Sequence, residues 1–148
     1  MKSDLTAEAS TTIHAPAASV WDALVDPAKI REYMFGTNVE SEWREGGPIT
    51  WKGEWKGKPY EDKGVILKMK SPRILQYSHF SPLSGQPDKP ENYHTVTIEL
   101  EENGPSTKVT LSQDKNATEE ERSESAKNWS MMLDSLRKVV ETPAEARR

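Results

Sequence analysis

The chain has 148 residues, with 20 basic and 24 acidic side chains, a formal net charge of −4 and no cysteine. That length suits one domain, which would bury roughly 68–70% of its unfolded surface, and the missing cysteines exclude disulfides, thiolate metal sites and cysteine nucleophiles. Interspersed charges of both signs argue against a general affinity for nucleic acid or anionic membrane, and no run approaches the roughly 20 apolar residues of a membrane span.

Residues Ala7, Ala9, Thr11, Ile13 and Ala15 share one face of a period-two pattern, with His14 pointing the other way. After Pro16 the period changes. Val20, Trp21 and Leu24 make one short helix face, Pro27 interrupts, and Ile30, Tyr33 and Met34 make a second, with Gly36 as a stop signal. NVESEW, REGGP and the strand beginning at Pro48 read as a hairpin. In the next strand Ile49, Trp51 and Trp55 have one parity and Lys52, Glu54 and Lys56 the other, with a turn at Lys56-Gly57-Lys58. Val65, Leu67 and Met69 alternate with Ile66 and Lys68, and Ser71-Pro72 marks a reversal. Leu75, Tyr77 and His79 then share a face.

SPLSGQPDKPEN, with three prolines and one glycine, is the clearest loop and a candidate lid or rim. Beyond it His94, Val96, Ile98 and Leu100 alternate with polar residues, Asn103-Gly104-Pro105 turns the chain, and Thr107, Val109, Leu111 and Gln113 repeat the pattern. Thr118 followed three residues later by Glu121 is a capping box, and Ala126, Trp129, Met132 or Leu133, Leu136 and Val140 form the apolar stripe of a helix running to about Glu141. Residues 142–148 read as a frayed tail, leaving an ordered core of about 5–141. Six or seven antiparallel strands, two short helices after the first strand and one long terminal helix give an α+β fold in which a curved sheet grips the helix.

Several stretches carry a family resemblance: APAASVWDALVDPAKI, the turn EWREGG, the strands VTIEL and KVTLSQ, and the helix NWSMMLDSLRKVVE. Together, from about Ala9 to Val140, they resemble the START/Bet v-like helix-grip superfamily (SRPBCC), in the branch related to the C-terminal domain of the heat-shock protein 90 ATPase activator. YSHFSPLSGQPDKPENYHTV and the Asn128-Trp129 pair look like a stand-alone bacterial-type subgroup. The resemblance implies the helix-grip fold. For function it implies a range, since the superfamily includes lipid carriers, cyclases, hormone receptors and co-chaperone domains, and fold does not transmit chemistry.

From the residues, the inward set Trp51, Trp55, Tyr77, His79, His94, Gln113, Trp129 and Met132 is apolar with a few polar tips, as a pocket for a small hydrophobic molecule would be. Core packing accounts for the same tryptophans equally well. His79 and His94 could hydrogen-bond a ligand or transfer a proton. Glu40, Glu42, Glu54, Glu61 and Asp62 sit in polar or alternating contexts and form no pair fixed by spacing, so no catalytic set, metal site or cofactor is expected. WKGEWKGKPY interleaves aromatics with lysines, but opposite parities separate them, against stacking on nucleic acid. The expectations are thus a cytoplasmic ligand-binding module, monomeric or weakly dimeric, with a chaperone regulator and a cyclase- or dehydratase-type enzyme as alternatives.

Overall fold

The computed structural model describes residues 5–55, 57–81, 87–116 and 118–141, without the side chains of Trp55 and Pro90. The expected tail, Lys56 and the middle of the Pro-rich segment lie outside the described residues. β1 (Leu5–Ile13) leads into α1 (Ala17–Val25) and α2 (Pro27–Tyr33), followed by β2 (Asn38–Ser41), β3 (Pro48–Trp55), β4 (Lys58–Lys70), β5 (Ile74–His79), β6 (His94–Asn103), β7 (Ser106–Asn116) and α3 (Glu119–Glu141). The seven strands form one antiparallel sheet in the order β1-β7-β6-β5-β4-β3-β2. Each neighbour from β2 to β7 is next in sequence, and β1 closes the order beside β7. The architecture is the α+β helix-grip arrangement that the element order implies.

Helix ends are satisfied by specific partners. Asp26 accepts from the Ala28 N–H with Pro27 in the first turn of α2, and Thr118 Oγ1 accepts from the Glu121 N–H to open α3. Pro16 offers α1 no side-chain cap, so Glu102 of β6 reaches across to accept from the Ala17 N–H at 2.8 Å. At the far end of α3, the Glu141 carboxylate accepts from the His14 N–H, tying the helix to the end of β1.

The inner face of the sheet follows the register. Leu75, Ile98 and Leu111 lie side by side across β5, β6 and β7 and are buried, whereas Ile74, Glu99 and Thr110, one step along, face outward. Against this face α3 buries Met132, Leu133, Leu136 and Val139, while Val140, expected in the stripe, is only half-buried. Among the described residues no helix is long and apolar enough to cross a membrane.

β4 departs from simple alternation. Ile66 pairs with Tyr77 and Lys68 with Gln76, so Leu67 is an extra residue, a bulge that reverses parity. Ile66 is fully buried, Leu67 is 45% exposed, and Met69 turns back toward the core beside Leu75. The set Val65, Leu67 and Met69 is therefore not one face. The bulge is held from outside β4: the Ile66 N–H and carbonyl bond to Gly47 and Gly46, and the Met69 N–H donates to Glu45, all from the EWREGG turn.

Close approach of β4 to β5 requires glycine at position 64. A Cβ there would sit 1.7 Å from the Ser78 carbonyl oxygen, a backbone atom that cannot rotate away. Gly64→Ala is expected to lower unfolding free energy by more than about 3 kcal/mol, because overpacking against main chain forces the strands apart. Chemical denaturation of the variant checks this, and a midpoint near wild type would contradict the assigned strand approach.

Candidate functional site

The half of α3 that begins at Glu119 has no fully buried side chain before Met132, so it stands over the sheet without filling the gap beneath it. A recess of about 310 Å³ opens there, walled by Ser125, Asn128, Trp129 and Met132 of α3, Met34, Phe35 and Thr37 after α2, Glu54 and Tyr60 of the β3–β4 hairpin, and Gln113 of β7. Phe35 is 68% exposed at the rim with a φ of 58°, a conformation uncommon for a bulky residue.

Inward, the aromatic residues close most of the space between sheet and helix. Trp51 packs on Tyr77 with ring centroids 5.1 Å apart and meets the edge of His79 at 5.0 Å. What remains is a chamber of about 70 Å³ bounded by Met34, Thr37, Trp51, Tyr60, Asp62, Tyr77, His79 and Trp129, and a smaller gap of about 30 Å³ over Leu75 and Ile98. Met34, Thr37, Tyr60 and Trp129 are common to recess and chamber and stand between them.

Hydrogen bonds fix these dividing side chains. Trp129 Nε1–H donates to Gln113 Oε1 at 2.5 Å, which supplies the partner that an inward amide requires. Thr37 Oγ1–H donates to the Met34 carbonyl at 2.9 Å; its only proton is thereby used, and so the Tyr60 hydroxyl, 2.7 Å away, donates to Thr37. The Tyr60 ring lies over Gly53, its cross-strand partner, where a Cβ would come within 2.7 Å of the phenolic oxygen. Below, His79 Nε2 bonds Asp62 Oδ2 at 2.9 Å.

The eight residues expected to face a ligand are thus distributed over several places. Gln113, Trp129 and Met132 wall the recess; Trp51, Tyr77 and His79 line the chamber; the Trp55 side chain lies outside the described residues. His94 is in neither wall. Its Nδ1–H donates to the Asp114 carbonyl at 2.8 Å, and it pairs across strands with His79. Tyr60, Thr37 and Ser125 were not singled out by sequence; Met34 was named only as part of a helix face and Asp62 only among carboxylates that spacing does not pair. Asp62 and Tyr60 share even numbering with Gly64 and Ile66, so parity within β4 carried the signal, and the partner that the structure gives Asp62 is His79. The Pro-rich segment does not wall the recess with any described residue: Asp88 pairs with Lys63 and accepts from Tyr93 Oη at 2.6 Å, and the hydrogen bonds from Lys63 and then Tyr93 hold the Asp88 carboxyl below its ordinary range.

A larger hollow of about 650 Å³ lies beside Ile74, Glu99 and Thr110, which face away from α3. Its walls carry Arg73, Glu99, Glu101, Glu102 and Lys108, whereas small-molecule sites are mostly apolar with few polar groups, so the recess is the better candidate despite its size. Among the described residues no cluster of histidine, aspartate and glutamate could hold a metal ion.

A family model described as activator of Hsp90 ATPase homolog 1-like protein matches residues 14–141. The solution structure of ChR145 from Cytophaga hutchinsonii is 56% identical with a TM-score of 0.84, over 95% of this chain and 97% of that one. CalU16 from Micromonospora echinospora (24% identity, TM-score 0.68, 99% of this chain and 90% of that one) and the Aha1 dimer from Colwellia psychrerythraea (16%, 0.71, 92% and 96%) share the fold. No curated protein matches.

Burial pushes the Tyr77 phenol well above its ordinary value of 10.0, and Tyr33 likewise, because a phenolate there would lose its hydration. The unfolded chain releases these protons first, so folding stability present below about pH 10 should fall as pH rises through the unfolded value toward the folded ones. Near-ultraviolet titration should show both phenols ionising only as the fold opens; ionisation of all tyrosines in the folded protein near pH 10 would contradict their burial.

Proposed function

The chain belongs to the activator of Hsp90 ATPase homolog 1-like family, and from that premise we propose that it binds a small, mainly apolar molecule in the recess under α3. The observation that carries this reading is the recess itself, whose exposed surface is mainly that of Met34, Phe35, Trp129 and Met132, with Thr37, Glu54, Tyr60, Gln113, Ser125 and Asn128 as the polar residues of its walls. Its volume of about 310 Å³ falls at the lower end of the range of roughly 300–1,000 Å³ typical of ligand sites, which suits a molecule of one or two rings or a short chain rather than a long lipid. Two methionines that adapt in shape and one tryptophan held from behind make a surface tolerant of varied outlines. A cytoplasmic setting and a monomer or weak homodimer accompany this reading.

Native mass spectrometry of freshly purified protein, followed by organic extraction, tests it directly. A retained apolar molecule near unit stoichiometry is the expected result. For protein that purifies empty, titration with the neutral two-ring fluorophore 6-propionyl-2-(dimethylamino)naphthalene should saturate at one site, and Asn128→Trp, which fills the recess from an exposed helix position, should weaken binding about tenfold. Unchanged affinity in that variant would move the site elsewhere, and no binding at all would refute the proposal.

The family description favours one other reading, regulation of a heat-shock chaperone ATPase. Its test is the ATP turnover of a purified Hsp90 with and without excess protein: the regulator reading expects a change of severalfold, and an unaltered rate disposes of it.

A further inference from the structure

At the rim of the recess, Phe35 is unfavourable for the fold on two counts. The first is its backbone. After α2 the Gly36 N–H donates to the Arg31 carbonyl at 2.8 Å, the wrap-around bond that ends many helices, and it leaves Phe35 in the left-handed region with a φ of 58°. Glycine or asparagine ordinarily takes that position, because the Cβ of a bulkier residue crowds the following carbonyl oxygen.

The second count is exposure. Among the described residues Phe35 is the most exposed large apolar side chain, at 68%, and it belongs neither to the core nor to the side chains packed against it. No aromatic ring among the described residues lies against it. Nor does it serve the cap: the two positions that ordinarily make an apolar contact across such a helix end are here Arg31 and Gly36. A single exposed apolar residue is ordinary, but glycine at position 35 would remove strain and exposure together. Strain of this kind, beside a cavity, points to function.

Phe35 and Trp129 wall the recess from different elements, the connection after α2 and the helix α3. The Trp129 indole is fixed by its Nε1–H bond to Gln113, whereas the Phe35 ring lacks any aromatic partner among the described residues. A volume of about 310 Å³ admits one or two rings. We propose that Phe35 is the specificity-determining residue of the recess: the strained cap holds its ring at the mouth, where it covers the ring of a bound ligand that rests on Trp129. Aromatic pairs gain beyond the area they bury, so the ligand class is a flat aromatic of one or two rings rather than a saturated chain. The inference rests on the recess as the binding site and adds to it the kind of molecule selected.

Phe35→Gly separates a ring kept for binding from one kept for folding. Relief of the left-handed strain should raise the melting temperature by about 2–4 °C. Isothermal titration should show affinity for 2-naphthol falling about 5- to 10-fold in the same variant. In the wild type, 2-naphthol should bind about fivefold more tightly than decahydro-2-naphthol, which has the same carbon skeleton and hydroxyl but no flat ring, and Phe35→Gly should reduce that preference to about twofold. Unchanged affinity for 2-naphthol in the variant, or no preference between the probes in the wild type, would overturn the role of Phe35 and leave the recess standing. A lowered melting temperature, or a variant that does not fold, would assign the ring to the fold and overturn the role as well. Failure of the wild type to bind either probe would overturn the role and the recess together. In wild-type protein, the Phe35 ring-proton resonances should shift on adding 2-naphthol and show cross-relaxation with it; bound 2-naphthol that leaves them in place refutes the proposal.

Discussion

The rest of the structure depends on where α3 is apolar. Met132, Leu133, Leu136 and Val139 are buried, each worth about 1.5–3 kcal/mol, and all lie in the second half of the helix. That half is drawn onto the sheet and clamped where Glu141 meets the His14 main chain. The first half carries Glu119, Glu120, Glu121, Arg122 and Glu124, so there is little apolar area to pull it down. It is held instead by polar contacts, Ser125 to Asn116 and Trp129 to Gln113, which set a distance without closing it. A helix apolar at one end and tethered at the other leaves a wedge, and the recess occupies it.

Asn116 shows how the tether is itself anchored. It is buried, donates through Nδ2 to the Leu5 and Gln113 carbonyls, and accepts from Ser125. The register of β1 on β7 skips between Leu5 and Ala7, where Leu5 pairs with Asn116 and Ala7 with Gln113, and Lys115 has a φ of 58° within that bulge. The extra residue lets both Gln113 and Asn116 point toward α3. The mouth is therefore bounded by the hydrogen-bonded end of β7 on one side and by the short connection through Met34 and Phe35 on the other.

Much of this was legible in the sequence because two periods carry most of the fold. Parity placed Val96, Ile98, Val109 and Leu111 on one face and grouped Leu75 with Tyr77 without choosing between the two faces of their strand, and the 3.6-residue stripe with the Thr118 cap placed α3. Alternation failed at Leu67, because a bulge is set by a partner distant in sequence, here the Glu45–Gly47 turn, and leaves no mark in the strand itself. The same limit hid the site. Asp62 has the inward parity of Tyr60 and Ile66, but a charged residue in a strand reads as solvated until its neighbour on β5 is known to be His79. His94 shows the reverse error: inward parity at a strand end does not guarantee a place in the cavity when a main-chain carbonyl, that of Asp114, is within reach. Trp129 was readable as a residue of the apolar stripe, but its role in dividing recess from chamber depends on Gln113, sixteen residues away along the chain.

The placement of His79 bears on whether such a site serves recognition or proton transfer. A general base must present a free nitrogen or carboxylate to the proton it removes. Here Nε2 of His79 is engaged with Asp62 and the ring is held edge-on against Trp51, so the imidazole that lines the chamber has one of its two nitrogens already committed. Among the hydroxyls beside it, Tyr60 donates to Thr37 and Thr37 to the Met34 carbonyl, while Tyr77, which lines the same chamber, keeps its proton because burial raises its pKa. The inner side of Trp129 thus meets mutually bonded polar side chains and packed aromatics, and its outer side belongs to the methionine and aromatic surface that the recess offers.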